Sequence, residues 1–170
     1  MNNGSGLRVV LWLSGCSHHC KGCQNSQTWD INSGILFDES AKKELFEELG
    51  KDYISGITFS GGDPLHENNA NDVLDLIIEI KEKFPSKNIW LYTGYKWNHI
   101  FYPIITDDFN PTRDEMLNRR RKIVELCDVL VDGNFIEELA DVSYHWAGSI
   151  NQKVIDVQKS LKENKIVLYN

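Results

Sequence analysis

RVVLWLSGCSHHCKGC, residues 8–23, joins a strand-like run to a loop that carries three cysteines. Residues 8–13 are rich in β-branched and aromatic side chains, which is typical of a strand. Cys16, Cys20 and Cys23 follow at once, and three soft thiolates on one loop suit an iron–sulfur cluster or a zinc ion. The loop has no fourth cysteine, and this favours a catalytic centre, because such a centre keeps one position open for a substrate.

The cysteine loop admits two interpretations. His18, His19 or a distant residue could complete a closed zinc site. Alternatively, three thiolates hold a cluster with one iron left unprotected, and the histidines are loop residues near the cofactor. The distant Cys127 lies between an apolar helix end and an apolar strand, so we predict a buried structural thiol there.

Composition narrows the class of protein. The 170 residues fit a single domain, 1–170, with 41% hydrophobic and 25% charged residues. A formal charge of −7 argues against direct binding to nucleic acid, which requires a basic face. We find no apolar run near the ~18 residues of a membrane span and no signal-peptide character. The crowded cysteines are poorly placed for disulfides, so we expect reduced thiols in the cytoplasm.

Short β-rich runs alternate with helical periodicity along the chain. The predicted strands are 8–13, 56–60, 89–93, 129–132 and 166–169, with a weaker one near residues 154 and 155. Predicted helices start at a cap of Asp38 or Ser40, at about Asn71, and at a capping box of Thr112 and Glu115. This alternation predicts an α/β fold whose parallel strands are joined by right-handed crossovers.

Candidate site segments follow the strands in turn. The cysteine loop follows the first strand, residues 61–63 the second, Gly94 the third, and Asp132 with Gly133 the fourth. Because ligands bind at the carboxyl ends of parallel strands, we expect these segments to meet at one edge of the sheet.

The segment FSGGDP, residues 59–64, is the second candidate motif. Without Cβ atoms, the backbone of Gly61 and Gly62 could lie against a bulky ligand with its amides free to donate. Asp63 could then accept from a ligand ammonium. The alternative is an ordinary Gly-Gly-Asp-Pro turn. The basic run at residues 119–122 also has an ordinary interpretation, as a solvated helix face.

Together these residues resemble the radical S-adenosylmethionine superfamily, and within it the activating proteins of anaerobic ribonucleoside-triphosphate reductases. The resemblance extends over nearly the whole chain. The segments that carry it are Cys16-x3-Cys20-x2-Cys23, Gly61-Gly62-Asp63, Asn3-Gly4-Ser5-Gly6-x-Arg8, Ser14-Gly15-Cys16, Lys21-Gly22-Cys23-x-Asn25, Thr28-Trp29, Tyr92-Thr93-Gly94-Tyr95, residues 128–135 and Gly148-Ser149-x-Asn151-Gln152.

The resemblance implies a fold and a reaction. The fold would be an incomplete β/α barrel of about five to six mostly parallel strands with flanking helices. Cys16, Cys20 and Cys23 would be the catalytic metal ligands of a 4Fe-4S cluster that binds S-adenosyl-L-methionine. Reduced by a donor such as flavodoxin or ferredoxin, the cluster would cleave S-adenosylmethionine to methionine and a 5′-deoxyadenosyl radical. The radical would abstract hydrogen from a glycine in the glycyl-radical loop of the large reductase subunit.

The resemblance also implies cofactor contacts. Asp63 and the backbone of Gly61 and Gly62 would hold the methionyl ammonium of S-adenosylmethionine. Asp132 would orient its carboxylate through a cation. The further candidate contacts are Ser60, Thr93, Ser149, Asn151 and Gln152.

Other functions stay open at this point. The chain could activate a different glycyl-radical enzyme, or modify a small molecule such as a deazapurine precursor. A ferredoxin-like carrier would hold a cluster without cleaving S-adenosylmethionine, although it usually has a fourth cysteine. A zinc-binding interaction module would need no reductant.

Overall fold

The computed structural model describes residues 3–103 and 110–170 and places a five-stranded sheet at their centre. The sheet order is β1-β2-β3-β4-β5. Its strands are β1 (Arg8–Leu13), β2 (Gly56–Gly61), β3 (Asn88–Tyr92), β4 (Val129–Asp132) and β5 (Lys153–Asp156). Strands β1 to β4 are parallel and β5 runs antiparallel to β4. The α/β class and the mostly parallel sheet are thus confirmed, whereas closure into part of a barrel stays a prediction.

Helices join the parallel strands, a further helix follows the last strand, and together they pack on one face of the sheet. They are α1 (Glu39–Leu49), α2 (Ala70–Lys83), α3 (Trp97–Phe101), α4 (Pro111–Leu126) and α5 (Val157–Glu163). The predicted cap of α1 is confirmed, because the Asp38 side chain accepts from the Ala41 amide. Within the described residues, we find no helix that is both long and apolar enough to cross a membrane.

Strand alternation divides the core into two clusters, because successive side chains point to opposite faces of a sheet. Ile57 and Phe59 of β2 join Ile89 of β3 and the apolar stripes of the helices in the larger cluster. Trp90 and Val131 lie in the smaller cluster on the opposite face, with Tyr169 packed against it. Each fully buried aliphatic side chain contributes about 1.5–3 kcal/mol to stability.

Arg8 holds the N-terminal segment against the sheet. Its Nε donates to Thr58 Oγ1 at 2.8 Å, and its two terminal nitrogens donate to the carbonyls of Ser5 and Ile57 at 3.2 and 2.6 Å. The Thr58 hydroxyl donates in turn to the Asn3 carbonyl at 2.6 Å. Burial lowers the pKa of Arg8 to about 10, so the guanidinium is still charged at neutral pH.

Two predictions of local structure are wrong. Thr112 and Glu115 do not form the cap of α4, because the helix begins at Pro111 and the Asn110 side chain accepts from the Arg113 amide. Proline is favoured at a first helical position, where its missing N–H costs nothing. The segment 166–169 is not a strand and makes a single antiparallel bridge, from Leu168 to β5.

Replacing Arg8 with glutamine should lower the free energy of unfolding by about 3 kcal/mol, because buried carbonyls would lose a charged donor. Urea denaturation measures the change. Arg121→Gln is the matched control: Arg121 pairs with Glu125 at 3.0 Å on an exposed part of α4, and such pairs contribute below about 1 kcal/mol. Equal unfolding midpoints for the two variants would contradict the anchoring role of Arg8.

Candidate functional site

Four loops meet at the carboxyl ends of the parallel strands, as the sequence predicted. The cysteine loop follows β1, and the loops after β2, β3 and β4 contribute Asp63, Gly94 and Phe135. These loops line a cavity of about 320 Å³. A cavity of this size is in the range that proteins use for small ligands.

Backbone hydrogen bonds shape the cysteine loop. The amides of Gly15 and Cys16 donate to the carbonyls of Thr28 and Trp29 at 2.8 and 3.0 Å. Inside the loop, the Cys23 amide donates to the Cys20 carbonyl at 3.1 Å. The conformation of the loop is therefore set by protein contacts.

The three loop cysteines form no disulfide and are partly exposed at the cavity wall. Burial raises the pKa of Cys16 and Cys20, so their protons must be displaced when they ligate a metal. Backbone amides oppose that shift. The amides concerned are those of His18 and His19 beside Cys16, and that of Phe135 beside Cys20.

This donor set fits an iron–sulfur cluster. Thiolates hold such clusters, and hydrogen bonds to the sulfurs tune them. The amide of Asn25 supplies a further donor, 3.4 Å from Cys23 sulfur. In the part of the chain that the structure describes, no three Cys, His, Asp or Glu side chains gather around a position for one metal ion. Cys127 lies apart as a buried thiol, as predicted, and donates to the Ile123 carbonyl.

Asp63 ties the loops together. It is 3% exposed, and its carboxylate accepts from the Leu65 amide at 2.8 Å, the Thr93 hydroxyl at 2.9 Å and the Gly94 amide at 3.0 Å. His18 Nε2 lies 2.8 Å from Asp63 Oδ2, at ion-pair distance but without the alignment of a hydrogen bond. The carboxylate therefore joins the loop after β2 to the loop after β3 and to the cysteine loop.

Gly62 has a packing role that the sequence did not reveal. Its amide donates to the Leu13 carbonyl at 2.7 Å, and the Asp63 amide donates to the Gly15 carbonyl at 2.8 Å. A Cβ at residue 62 would lie 2.6 Å from the Gly15 carbonyl oxygen. The prediction that the Gly62 amide is free for a ligand is therefore wrong, because the base of the cysteine loop uses it.

The structure brings most of the predicted site residues together. Those that line the cavity are Cys16, Cys20, Cys23, Ser60, Gly61, Gly62, Asp63, Thr93 and Gln152. Asp132, Ser149 and Asn151 are not among the lining residues. The roles of all these residues toward a cofactor stay predictions.

Asp132 is buried and does not belong to the cavity wall. Its carboxylate accepts from the Trp97 amide at 2.7 Å and the Lys153 amide at 3.2 Å. Burial raises the pKa of Asp132, and these two amides oppose the increase. Asp132 thereby joins the start of α3 to β5.

Gln152 closes the turn that begins at Gly148. Its Oε1 accepts from the amides of Gly148 and Ser149 at 2.9 and 3.2 Å, and its Nε2 donates to the Gly133 carbonyl at 2.8 Å. Asn151 donates to the Asn134 carbonyl at 2.8 Å, but its Oδ1 is buried without a hydrogen-bond partner. A buried acceptor of this kind is costly unless a donor reaches it.

Sequence reasoning missed several residues of the cavity wall. Asn3, Trp12 and Tyr92 line the cavity, and Trp12 is 50% exposed although it lies in β1. Strand alternation was the available signal for Trp12. It places Trp12 on the same face of β1 as the polar side chain of Arg8, near the end of the strand where the site was expected. Asn3 opens the Asn-Gly segment that was noted only as a family motif.

Comparison with known proteins gives consistent results. Residues 2–155 match the family model of a 4Fe-4S single cluster domain. The chain is 40% identical over 154 residues to the anaerobic ribonucleoside-triphosphate reductase-activating protein of Escherichia coli K12, covering 89% of this chain and 90% of the relative. It is 40% identical over 152 residues to the protein of that name from Haemophilus influenzae, covering 88% of each. The phage T4 protein of that name is 38% identical over 152 residues, covering 89% of this chain and 85% of the relative. No solved structure matches the chain.

Replacing any one of Cys16, Cys20 and Cys23 with alanine should abolish retention of the cluster, because each supplies one of the three loop thiolates. Cys127→Ala should keep the wild-type iron content, since its sulfur is buried and donates to the Ile123 carbonyl, away from the cysteine loop. Iron and sulfide are measured after anaerobic reconstitution. Iron loss in Cys127→Ala, or its retention in a loop variant, would overturn the proposed ligand set.

Proposed function

This chain belongs to the family of anaerobic ribonucleoside-triphosphate reductase-activating proteins, and from that membership we propose that it generates the glycyl radical of such a reductase. The family membership confirms the resemblance drawn from the sequence. The match to a 4Fe-4S single cluster domain supports the cluster as cofactor. One observation carries the proposal further, namely that three cysteines of one loop share a cavity with the ends of four parallel strands.

Cys16, Cys20 and Cys23 would hold the 4Fe-4S cluster and leave one iron for S-adenosylmethionine. When bound, the cluster would supply the electron that splits the sulfonium–carbon bond, yielding methionine and a 5′-deoxyadenosyl radical that takes hydrogen from a reductase glycine. The protein contributes position, because a fixed approach of cofactor to cluster replaces a search in solution. It also contributes a cavity wall that limits access of water.

Asp63 is the proposed contact for the methionyl ammonium. Both of its oxygens also accept from protein donors, Oδ1 from the Leu65 amide and Oδ2 from the Gly94 amide. Ser60 and Thr93 provide hydroxyl groups in the same wall, and Trp12 provides an aromatic face. Asn151 has a buried Oδ1 without a hydrogen-bond partner, but this residue lies outside the cavity wall.

The substrate would be a glycine-bearing loop of the large reductase subunit. The exposure of Trp12 at the cavity supports entry of such a loop beside β1. A second protein, flavodoxin or ferredoxin, would deliver the electron.

The decisive experiment reconstitutes the chain anaerobically with iron and sulfide, reduces it, and adds S-adenosylmethionine. Formation of 5′-deoxyadenosine is expected, because an unprotected iron gives the cofactor a binding position. Adding the large anaerobic reductase of the same genome should then produce a glycyl-radical signal in electron paramagnetic resonance (EPR). Cys23→Ala is the control and should give neither product. Wild-type chain that holds a cluster yet forms no 5′-deoxyadenosine would refute the proposal.

Asp63→Asn should raise the KM for S-adenosylmethionine by at least about tenfold, since a charged acceptor contributes about 1.5–3 kcal/mol. Iron content should fall less than the affinity for S-adenosylmethionine. Asp132→Asn is the matched comparison, because it changes another buried carboxylate, at the end of β4, that does not line the cavity. It should lower the unfolding midpoint and leave KM unchanged. Equal KM values for Asp63→Asn and the wild type would remove Asp63 from the binding site.

A further inference from the structure

One arginine of the basic run on α4 differs from its neighbours. Arg119 pairs with Glu115 at 2.6 Å and Arg121 pairs with Glu125 at 3.0 Å, both one helical turn away. Arg120 instead turns toward the sheet. The interpretation of residues 119–122 as a solvated face therefore fails at Arg120.

The Arg120 guanidinium bridges two of the loops at the functional edge. Its Nε donates to the Leu65 carbonyl at 2.8 Å, in the loop after β2. Its Nη2 donates to the Tyr95 hydroxyl at 2.7 Å, in the loop after β3, and its Cζ lies 4.0 Å from the centre of the Tyr95 ring. A planar fork of several donors suits this double contact, and a cation over an aromatic face adds attraction.

Tyr95 carries that contact to the cysteine loop. Its ring packs edge-on against the His18 ring, with 4.6 Å between ring centres. The Ser17 side chain also lies near its hydroxyl. Ser17 and His18 lie between Cys16 and Cys20, so Tyr95 touches the part of the loop that separates two of the proposed cluster ligands.

The backbone of Tyr95 is fixed independently. Its amide donates to Thr93 Oγ1 at 3.2 Å, and its carbonyl accepts from the Gly133 amide at 3.1 Å. Thr93 in turn donates to Asp63. The ring therefore projects from a backbone held at both ends, and Arg120 determines where its hydroxyl end lies.

We propose that Arg120 is a positioning residue that acts through Tyr95 to fix the cysteine loop relative to the cofactor cavity. Arg120 and Tyr95 are not lining residues of the cavity, so their effect must pass through the loop. This inference rests on the proposed function. A misplacement of about 1 Å between reacting groups lowers rates by up to about 100-fold, which makes such support consequential.

The test compares four variants with the wild-type chain after anaerobic reconstitution. Arg120→Gln removes the fork, and Tyr95→Phe removes a single oxygen and is expected to fold. The double variant Arg120→Gln/Tyr95→Phe tests whether the two act as one unit. Arg121→Gln is the matched control, since it makes the same change one residue along the helix.

Iron content should equal that of the wild type in all four variants. The kcat for 5′-deoxyadenosine formation should fall about 10-fold in Arg120→Gln and in Tyr95→Phe, and no further in the double variant. The KM for S-adenosylmethionine should change less than about twofold. S-adenosylmethionine changes the EPR spectrum of the reduced cluster, and this change should differ from that of the wild type in Arg120→Gln and in Tyr95→Phe. Arg121→Gln should match the wild type in each measurement.

Some outcomes overturn this inference alone. They are a wild-type kcat and EPR response in Arg120→Gln, multiplied losses in the double variant, or an equal loss in Arg121→Gln. A lower melting temperature with normal kcat per cluster would show a merely structural role, and would also overturn it. By contrast, a wild-type chain that holds its cluster but cleaves no S-adenosylmethionine would refute the proposed function itself.

Discussion

A buried carboxylate holds the functional edge of this protein together. Removing the Asp63 charge from water costs several kcal/mol, and the cost is offset only because donors surround it. Those donors come from separate loops: the Leu65 amide from one, and the Thr93 hydroxyl and Gly94 amide from another. His18 brings the cysteine loop to one of the same oxygens, Oδ2. Parallel strands deliver the loops to one edge, and this carboxylate fixes their spacing there.

Local sequence patterns predicted the elements that deliver those loops. The β-branched runs of β1, β2 and β4 stand between clear breaks, and each was found within a residue of its observed ends. The antiparallel direction of β5 was not predicted, because a four-residue strand carries no mark of its partner's direction. The start of α4 was misplaced because Thr112 and Glu115 have the residue types and spacing of a capping box. The observed cap is Asn110, and Pro111 at the first helical position marks that start.

The sequence allowed us to predict which residues belong to the candidate site, but not which groups those residues contact. Cysteine spacing and strand ends identified Cys16, Asp63 and Gly94 as neighbours, and all line the cavity. The roles of Gly62 and Arg120 depend on partners far away in sequence: the Gly62 amide meets Leu13, and Arg120 meets a carbonyl 55 residues distant. Periodicity assigns a residue to a face of its helix or strand, but says nothing about such partners. The basic run at residues 119–122 therefore gave no sign that Arg120 turns inward.

The cysteine loop owes its shape to amides and carbonyls of residues 15–29, and the hydrophobic core lies on the helix-covered face of the sheet. The fold therefore does not depend on iron for its stability, in contrast to a zinc finger, where metal affinity supplies the folding energy. Oxygen that destroys the cluster should leave a folded apoprotein with its thiols still in register. Recovery from such damage then calls for repair by reloading iron and sulfide rather than for resynthesis of the chain.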